Sequence, residues 1–174
     1  MINGTIWLTG ISSSGKTTLA LKLIDDLKQI GIKNIVMIDG DIIRKEIINY
    51  NYDINNREEM GLLKASIARE ENSKGNIAVV TGIAAKKKWR EVYRKMIANY
   101  FEVFLDCSLK ACIERDQKNI YQKAIKGEYD NFPGVTEMYE TSNKVDLILN
   151  TEKNSIKESS KILMQNVVKF IDYN

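Results

Sequence analysis

A single eight-residue segment near the start of the chain constrains its fold more than any other feature. The segment 10–17 reads GISSSGKT and matches the pattern G-x-x-x-x-G-K-[ST] in full. An apolar run over 5–9 precedes it, and an amphipathic stretch over 16–29 follows it. In this strand–loop–helix setting the glycines let the backbone curl, so that successive N–H groups point at phosphate oxygens. The sequence therefore predicts a phosphate-binding loop (P-loop) for a nucleoside triphosphate.

The positions of this loop differ in their expected contacts with ATP. Lys16 is predicted to reach the β- and γ-phosphates, and the Thr17 hydroxyl to bind the Mg²⁺ that accompanies them. The helix that begins at Lys16 would present the positive end of its dipole to the same phosphates. The predicted ATP-binding residues of this segment are Gly10, Ser12, Ser13, Ser14, Gly15, Lys16, Thr17 and Thr18.

Short apolar runs alternate with amphipathic stretches along the rest of the chain. Near-continuous apolar runs are typical of parallel strands that helices cover on both faces, and the alternation indicates right-handed crossovers. The expected strands are 5–9, 34–38, 77–81, 101–105 and 147–149, and the expected helices are 16–29, 57–73, 86–98, 109–115 and 155–170. The sequence therefore predicts one α/β domain over 1–174, a P-loop NTPase fold with a five-stranded parallel sheet flanked by helices.

The composition excludes several kinds of site. The chain has no histidine, which removes a Ser-His-Asp triad and any histidine-containing zinc site. Its two cysteines, Cys107 and Cys112, make no disulfide framework, so a reducing cytoplasm is the expected location. The net charge of +3 suits a small anionic substrate and does not argue for nucleic acid. We expect no membrane partner, because no apolar run approaches the roughly 20 residues of a membrane span and the first residues lack a secretory signal.

Two aspartates follow the second apolar run and indicate phosphoryl transfer. Alternate residues of an extended segment point the same way, so Asp39 and Asp41 can line one cleft beside the P-loop. We predict that Asp39 joins Thr17 in the Mg²⁺ shell and that Asp41 orients or deprotonates an attacking hydroxyl. The third run ends in Thr81 and supplies no further carboxylate. The alternative is that these aspartates form an acidic turn that caps the next helix.

A GTPase-type switch is the remote alternative to a kinase. Its guanine-reading pattern N-K-x-D occurs as Asn143-Lys144-Val145-Asp146, but this segment precedes the apolar run 147–149 instead of following it. Its aspartate would therefore face away from the edge at which open α/β sheets bind ligands. The chain also lacks a D-x-x-G switch element. A nucleotide-binding module without catalytic activity is the other alternative.

These features together resemble the adenylylsulfate (APS) kinases over essentially the whole chain. The segment 39–44 is similar to the family's D-G-D-N-x-R, and 115–124 looks like its lid sequence R-D-P-K-G-L-Y-K-K-A. Phe132, Gly134 and the pair 139–140 follow its F-x-G…Y-E segment. The resemblance implies a nucleotide-kinase-like fold with a mobile lid at about 116–140. It also implies transfer of the ATP γ-phosphoryl group, with Mg²⁺, to the ribose 3′-hydroxyl of a nucleotide mixed anhydride.

The resemblance assigns roles to individual residues. Arg44 and Arg57 would clamp the anionic groups of the acceptor, and Tyr52 and Phe132 would stack on its base. Arg115 joins the ATP site. The implied substrate-binding residues are Asp41, Arg44, Tyr52, Arg57, Ile83, Lys87, Lys118, Lys123 and Phe132, while Asp41, Lys16 and Asp39 form the catalytic set. The implied partners are ATP and a small nucleotide, and the resemblance also allows a homodimer.

The departures from the family pattern concern the acceptor. Met60 stands where the family's D-R-x-E-N motif has Asn, Leu62-Leu63 replace a double Arg, and Asn56 replaces an Asp. The segment 81–85 reads TGIAA in place of S-F-I-S-P. A site that loses hydrogen-bonding groups while it keeps the donor machinery is expected to accept a different acceptor. The favoured acceptor is cytidine diphosphoramidate, a capsule-modification precursor, and the alternative is adenylylsulfate itself.

Overall fold

The computed structural model describes residues 3–44 and 54–172 and contains five parallel strands at its centre. The strands are β1 (Gly4–Thr9), β2 (Ile35–Asp39), β3 (Ile77–Gly82), β4 (Tyr100–Asp106) and β5 (Leu147–Asn150). The helices are α1 (Lys16–Gln29), α2 (Gly40–Arg44), α3 (Ile54–Ser73), α4 (Lys87–Met96), α5 (Leu109–Glu114), α6 (Ile120–Ile125) and α7 (Ile156–Asp172). The strand order is β2-β3-β1-β4-β5, which confirms the predicted fold class.

Helices cover both faces of the sheet and separate its apolar residues into two clusters. Ile6 and Leu8 of β1 point toward α1 and α7, whereas Trp7 between them points toward α3 and α4. This alternation follows from the two-residue period of a strand. Both faces of β1 are covered, and all six of its residues are buried. This explains the near-continuous apolar run in the sequence.

The register of the sheet brings the ends of three strands together. Asp39 at the end of β2 pairs with Thr81 of β3, and Gly82 of β3 pairs with Thr9 at the end of β1. Since all strands are parallel, the loops that follow β1, β2 and β3 leave from the same edge. The P-loop and the two aspartates therefore meet at this carboxyl edge, where open α/β sheets bind their ligands.

The segment 116–140 is more structured than its sequence suggests. It contains the short helix α6 and contributes Tyr121, Ala124 and Phe132 to a small apolar cluster. That cluster also includes Ile11 of the P-loop and Cys112 of α5, so the segment packs directly on the nucleotide loop. The sequence patterns predicted neither α6 nor α2. The five residues of α2 are too few to show a helical period.

The segment 143–146 lies at the opposite edge of the sheet from the P-loop. Asp146 precedes β5, its carboxylate is 2.6 Å from Arg94 Nη2, and it accepts a hydrogen bond from the Glu102 N–H at 2.7 Å. These contacts tie β4, β5 and α4 together, and they leave the segment no role at the nucleotide edge. None of the helices in the described ranges is both long and apolar enough to cross a membrane.

Candidate active site

The P-loop is held in its curled form by close packing against β4. Gly10 has φ 149°, and a methyl group at this position would lie 2.8 Å from the Leu105 carbonyl oxygen, so only glycine fits. At the other end of the loop Gly15 has φ 98°. The buried Thr151 hydroxyl after β5 donates to the Ser14 carbonyl at 2.9 Å. The loop is therefore fixed from two strands before any nucleotide binds.

Lys16 lies inside the curl of this loop. Its Nζ donates to the Ile11 carbonyl at 2.6 Å and lies 3.5 Å from Ser14 Oγ. Burial lowers the pKa of Lys16 to about 8, although the nearby carboxylates of Asp41 and Asp39 act in the opposite direction. Phosphate oxygens would stabilise the charged form and raise this pKa, as expected for a lysine whose partner is an anion.

Asp39 connects the P-loop to β3 and to the start of α2. Its Oδ2 accepts hydrogen bonds from Thr81 Oγ1 at 2.7 Å and from Thr17 Oγ1 at 3.3 Å. Its Oδ1 accepts from the N–H of Asp41 at 2.7 Å, which caps α2. The capping alternative is thus correct for one carboxylate oxygen, while the other oxygen faces Thr17.

Thr17 and Asp39 fit a magnesium ion. Their oxygens are adjacent, and hard oxygen ligands of this kind suit Mg²⁺, which keeps several water ligands and takes others from phosphates. Among the described residues no group of three or more His, Cys, Asp or Glu side chains could hold a metal by itself.

Asp41 lies at the lid side of the site. Its Oδ2 is 2.8 Å from Lys118 Nζ of the lid, and its Oδ1 pairs with Arg44. Partial burial raises the pKa of Asp41, but the hydrogen bond from Lys118 and the positive charges of Arg44 and Lys118 outweigh it and hold the pKa below its ordinary value. The carboxylate is therefore charged and oriented by residues from two elements. The predicted extended segment is in fact the first turn of α2.

A cavity of about 990 Å³ joins these groups. Most of the predicted site residues line it: Ser12, Ser13, Ser14, Gly15, Lys16, Thr17, Thr18, Asp39, Asp41, Arg44, Arg57, Ile83, Arg115, Lys118 and Phe132. Gly10 lies behind the loop, and Lys87 and Lys123 are not among the lining residues in the described part of the chain. The Lys87 N–H instead donates to Glu140 Oε2 at 2.9 Å. Tyr52 lies outside the described residues.

Arg57 connects α3 to the lid, and Phe132 packs within the lid. Arg57 Nη1 lies 3.3 Å from Glu137 Oε2 and also donates to the Asn131 carbonyl. Phe132 is buried and stacks on Tyr129, with ring centroids 5.9 Å apart and planes inclined by 23°. Both residues line the cavity, so the contacts that position the lid also shape the cavity wall.

Arg115 contacts the end of β5. Its Nη2 donates to the Thr151 carbonyl at 2.9 Å, and its Nη1 lies 3.4 Å from Cys107 Sγ. Thr151 in turn holds Ser14 of the P-loop. The predicted ATP residue Arg115 is therefore linked to the loop through one intervening threonine.

The departures from the family pattern do not all face the cavity. Met60 is buried and lines it, and the replaced residues Thr81, Gly82, Ala84 and Ala85 line it as well. Leu63, in contrast, is 42% exposed and is not a lining residue. Asn56 and Leu62 are not lining residues either, so the expectation that the replaced residues cluster around the acceptor is wrong for these three positions.

A further set of lining residues was not predicted from the sequence. Trp7, Lys64, Trp89 and Tyr93 form one wall of the cavity, supplied by β1, α3 and α4. Trp7 is fully buried, and it also reaches the cavity. The available signal was the helical spacing of Lys64, which lies seven residues after Arg57 and hence on the same face of α3.

The comparisons with known proteins agree with this geometry. A model of the adenylylsulphate kinase family matches residues 3–150. A cytidine diphosphoramidate kinase of Campylobacter jejuni is 35% identical over 161 residues, which cover 92% of this chain and 94% of the relative. An adenylyl-sulfate kinase of Halothermothrix orenii is 34% identical over 161 residues, covering 91% and 86%.

The structural similarity is equally extensive. The solved structure of a Mycobacterium tuberculosis APS kinase in complex with AMPPNP and APS has a TM-score of 0.88 and 29% identity, with 95% of this chain and 98% of that chain covered. Sequence and fold thus match one family along most of the chain. The chain belongs to the adenylylsulphate kinase family, and it is an ATP-dependent phosphotransferase, a nucleotide kinase of the APS-kinase type.

Proposed function

We propose that this kinase transfers the γ-phosphoryl group of ATP to the ribose 3′-hydroxyl of a nucleoside 5′-anhydride, and that cytidine diphosphoramidate is the favoured acceptor. The observation that carries the proposal is the placement of two carboxylates on one cavity. Asp39 is hydrogen-bonded to Thr17 of the P-loop helix, and Asp41 is paired with Lys118 of the lid. A donor site and a group that can orient a hydroxyl therefore face the same space.

In this proposal the acceptor oxygen bonds to the γ-phosphorus while the bond from that phosphorus to the β-phosphate oxygen breaks. ADP leaves, and the hydroxyl proton passes to Asp41 or through it to water. Lys16 and the N–H groups of the P-loop hold the phosphates, and Lys118 closes the lid over the transferring group. Most of the rate enhancement comes from positioning and from neutralisation of charge, as for phosphoryl transfer in general.

Mg²⁺ would be held by Thr17 and Asp39 together with the phosphates of ATP. When bound, the ion neutralises charge on the phosphate oxygens. The chain's own contribution is to fix the two ligands: the Thr81 hydroxyl, 2.7 Å from Asp39 Oδ2, holds the carboxylate toward Thr17. An outer hydrogen bond of this kind orients a metal ligand.

The cationic and aromatic side chains of the cavity suit an anionic nucleotide as acceptor. Arg44 and Arg57 line the cavity from α2 and α3, where they can contact the phosphate groups of the 5′-anhydride. Phe132 supplies an aromatic ring on the lid side for the base. We assign the second stacking position to Tyr52, on the family resemblance alone.

Two acceptors compete, and the lining residues favour one of them. Met60 puts a thioether where the family motif has an amide, so the cavity wall has lost a group that could donate and accept hydrogen bonds. Loss of such a partner selects against an acceptor that needs it. This supports cytidine diphosphoramidate. The second candidate is adenylylsulfate, which is favoured by the TM-score of 0.88 to a kinase solved with APS.

A direct assay distinguishes these acceptors. The purified protein is incubated with Mg·ATP and either cytidine diphosphoramidate or adenylylsulfate, and the product is examined by mass spectrometry for one added phosphoryl group. A 3′-deoxy form of each acceptor is the control, because it lacks the proposed nucleophile. We expect transfer to the cytidine compound with the higher kcat/KM and no product from the 3′-deoxy forms.

Each unfavourable result has a defined meaning. A higher kcat/KM for adenylylsulfate would overturn the favoured acceptor and establish the second candidate. Product from a 3′-deoxy acceptor would overturn the assigned hydroxyl. Nucleotide turnover with selective GTP binding and no phosphorylated acceptor would overturn the whole proposal in favour of a GTPase-type switch.

A further inference from the structure

One wall of the cavity contains polar atoms that the proposed reaction leaves unused. We call it the inner wall; it consists of Trp7, Lys64, Trp89 and Tyr93. The three aromatic residues are 2% exposed or less, yet Trp7 Nε1, Trp89 Nε1 and the Tyr93 hydroxyl have no hydrogen-bond partner among the described residues. Buried polar groups are nearly always paired, so three orphans on one cavity wall require an explanation.

Two glycines leave the space that side chains of the inner wall occupy. Gly82 of β3 lies so close to the inner wall that a methyl group there would overlap Lys64 Nζ and lie 3.7 Å from Trp7 Nε1. A methyl group at Gly61 of α3 would overlap the Tyr93 hydroxyl. Both glycines also line the cavity. A side chain at either position would displace Lys64 or Tyr93, so the two glycines are required for the inner wall to pack at the edge of the cavity.

Lys64 gives the inner wall a buried positive charge. It is 5% exposed, and in the described part of the structure its Nζ has one hydrogen-bond partner, the Thr81 carbonyl at 2.9 Å. A methyl group on Gly40 would lie 3.5 Å from Lys64 Nζ and 3.1 Å from Arg44 Nη1, so the two cations converge on one small space. Burial, and then the charge of Arg44, lower the pKa of Lys64 to about 8, although the carboxylates of Asp39 and Asp41 act in the opposite direction. Such an arrangement costs free energy that a bound anion offsets.

We propose that the inner wall binds the distal anionic group of the acceptor's 5′-anhydride, the group beyond the 5′-phosphate. Lys64 supplies the cation, and the indole N–H groups of Trp7 and Trp89 supply further donors. All three are donors only, which suits oxygens of an anion and does not suit a nucleobase edge, where donors and acceptors alternate. This inference rests on the proposed function, because it names the part of that acceptor which enters the inner wall.

The two tryptophans provide a binding measurement that does not depend on turnover. They are the only tryptophans of the chain, and both belong to the inner wall. Tryptophan emission is titrated without ATP, with adenylylsulfate and cytidine diphosphoramidate as probes and with AMP and CMP as the matching monophosphates that lack the distal group. We expect at least one anhydride to change the emission and to bind more tightly than its monophosphate.

Substitutions then test which residues of the inner wall bind the distal group of the anhydride. Lys64→Met keeps the length of the side chain and removes the charge, and we expect it to weaken anhydride binding about 10- to 100-fold, the range for loss of a hydrogen bond to a charged group. Monophosphate binding and the affinity for a non-hydrolysable ATP analogue should not change. Trp7→Phe removes one N–H and should weaken the same step, with Trp89 as the remaining reporter. Lys74→Met, an exposed lysine just beyond α3, is the matched control.

The outcomes separate this inference from the proposed function. If Lys64→Met binds the anhydride as tightly as the unmodified protein, or loses anhydride and monophosphate equally, the inner wall does not hold the distal group. If the unmodified protein binds the anhydride and the monophosphate equally tightly, the inner wall likewise does not hold the distal group. A thermal melt shows whether either variant has lost its fold. Absence of phosphoryl transfer to a bound anhydride would overturn the proposed function and leave the binding result intact.

Discussion

Removal of the Thr81 hydroxyl is the most direct test of the site. Thr81 is buried at the end of β3, and its Oγ1 donates to Asp39 Oδ2 at 2.7 Å. The same carboxylate oxygen lies 3.3 Å from Thr17 Oγ1. Thr81→Val replaces the hydroxyl by a methyl group of similar size, so the carboxylate loses its closest donor while the β-branched side chain continues to fill its place in the strand.

Two magnitudes follow from this geometry. A hydrogen bond to a charged group contributes about 1.5–3 kcal/mol, so the free energy of unfolding at neutral pH should fall by about that amount. Outer hydrogen bonds that orient a metal ligand change metal affinity about 10- to 100-fold, so the Mg²⁺ concentration for half-maximal activity should rise at least about tenfold. The measurements are urea unfolding and the initial rate as a function of Mg²⁺ at saturating ATP.

Thr5→Val is the matched control. Thr5 is fully buried in β1 at the opposite edge of the sheet, and its Oγ1 is 2.8 Å from the neutral Asn72 Oδ1. This substitution should cost only about 0.5–1.5 kcal/mol of stability and leave the Mg²⁺ dependence unchanged. If the two variants lose similar stability and neither shifts the Mg²⁺ dependence, the reasoning that Thr81 orients a metal-binding Asp39 is refuted.

Three further perturbations test other parts of the structure. Asp41→Asn should lower kcat by about 10²- to 10⁴-fold with little change in ATP affinity, because the proposed function assigns this residue to the acceptor hydroxyl; retained turnover would remove its role. Gly61→Ala should destabilise the protein by about 1–3 kcal/mol in urea unfolding, since the new methyl group overlaps the Tyr93 hydroxyl, and an unchanged midpoint would contradict that packing. The hydrogen bond from Lys22, and then that from Ser160, lower the pKa of Asp26, so Asp26→Asn should lower stability at pH 7 by an amount that shrinks as the pH falls below about 4; a constant difference would exclude this ion pair as the cause.

The fold and the donor side of the site could be predicted from the sequence because they depend on local signals. The P-loop pattern requires a strand before it and a helix after it, and parallel pairing then places Asp39 beside Thr17. The same reasoning placed Asp146 at the wrong edge for guanine binding, and the structure confirms that position.

The inner wall could not be predicted in the same way, because its members come from three elements. The aromatic positions Trp7 and Tyr93 show the same apolar periodicity as core residues, and no local pattern indicates that their polar atoms reach a cavity. Lys64 looks like any surface lysine of an amphipathic helix, yet it is 5% exposed. Only the packing of α3 and α4 against β1 brings these side chains together.

The contacts of Asp41 bear on how the lid and the acceptor are coupled. Its carboxylate is paired with Lys118 of the lid and with Arg44 of α2, so in the proposed reaction an arriving hydroxyl would share Asp41 with two cations. A carboxylate held in this way has little affinity for a proton until the acceptor is in place, and phosphoryl transfer through a loose transition state needs orientation more than deprotonation. We infer that Asp41 works mainly as an orienting group. In the same arrangement a water molecule is a poor substitute for the acceptor, because it cannot also fill the cavity that the lid closes.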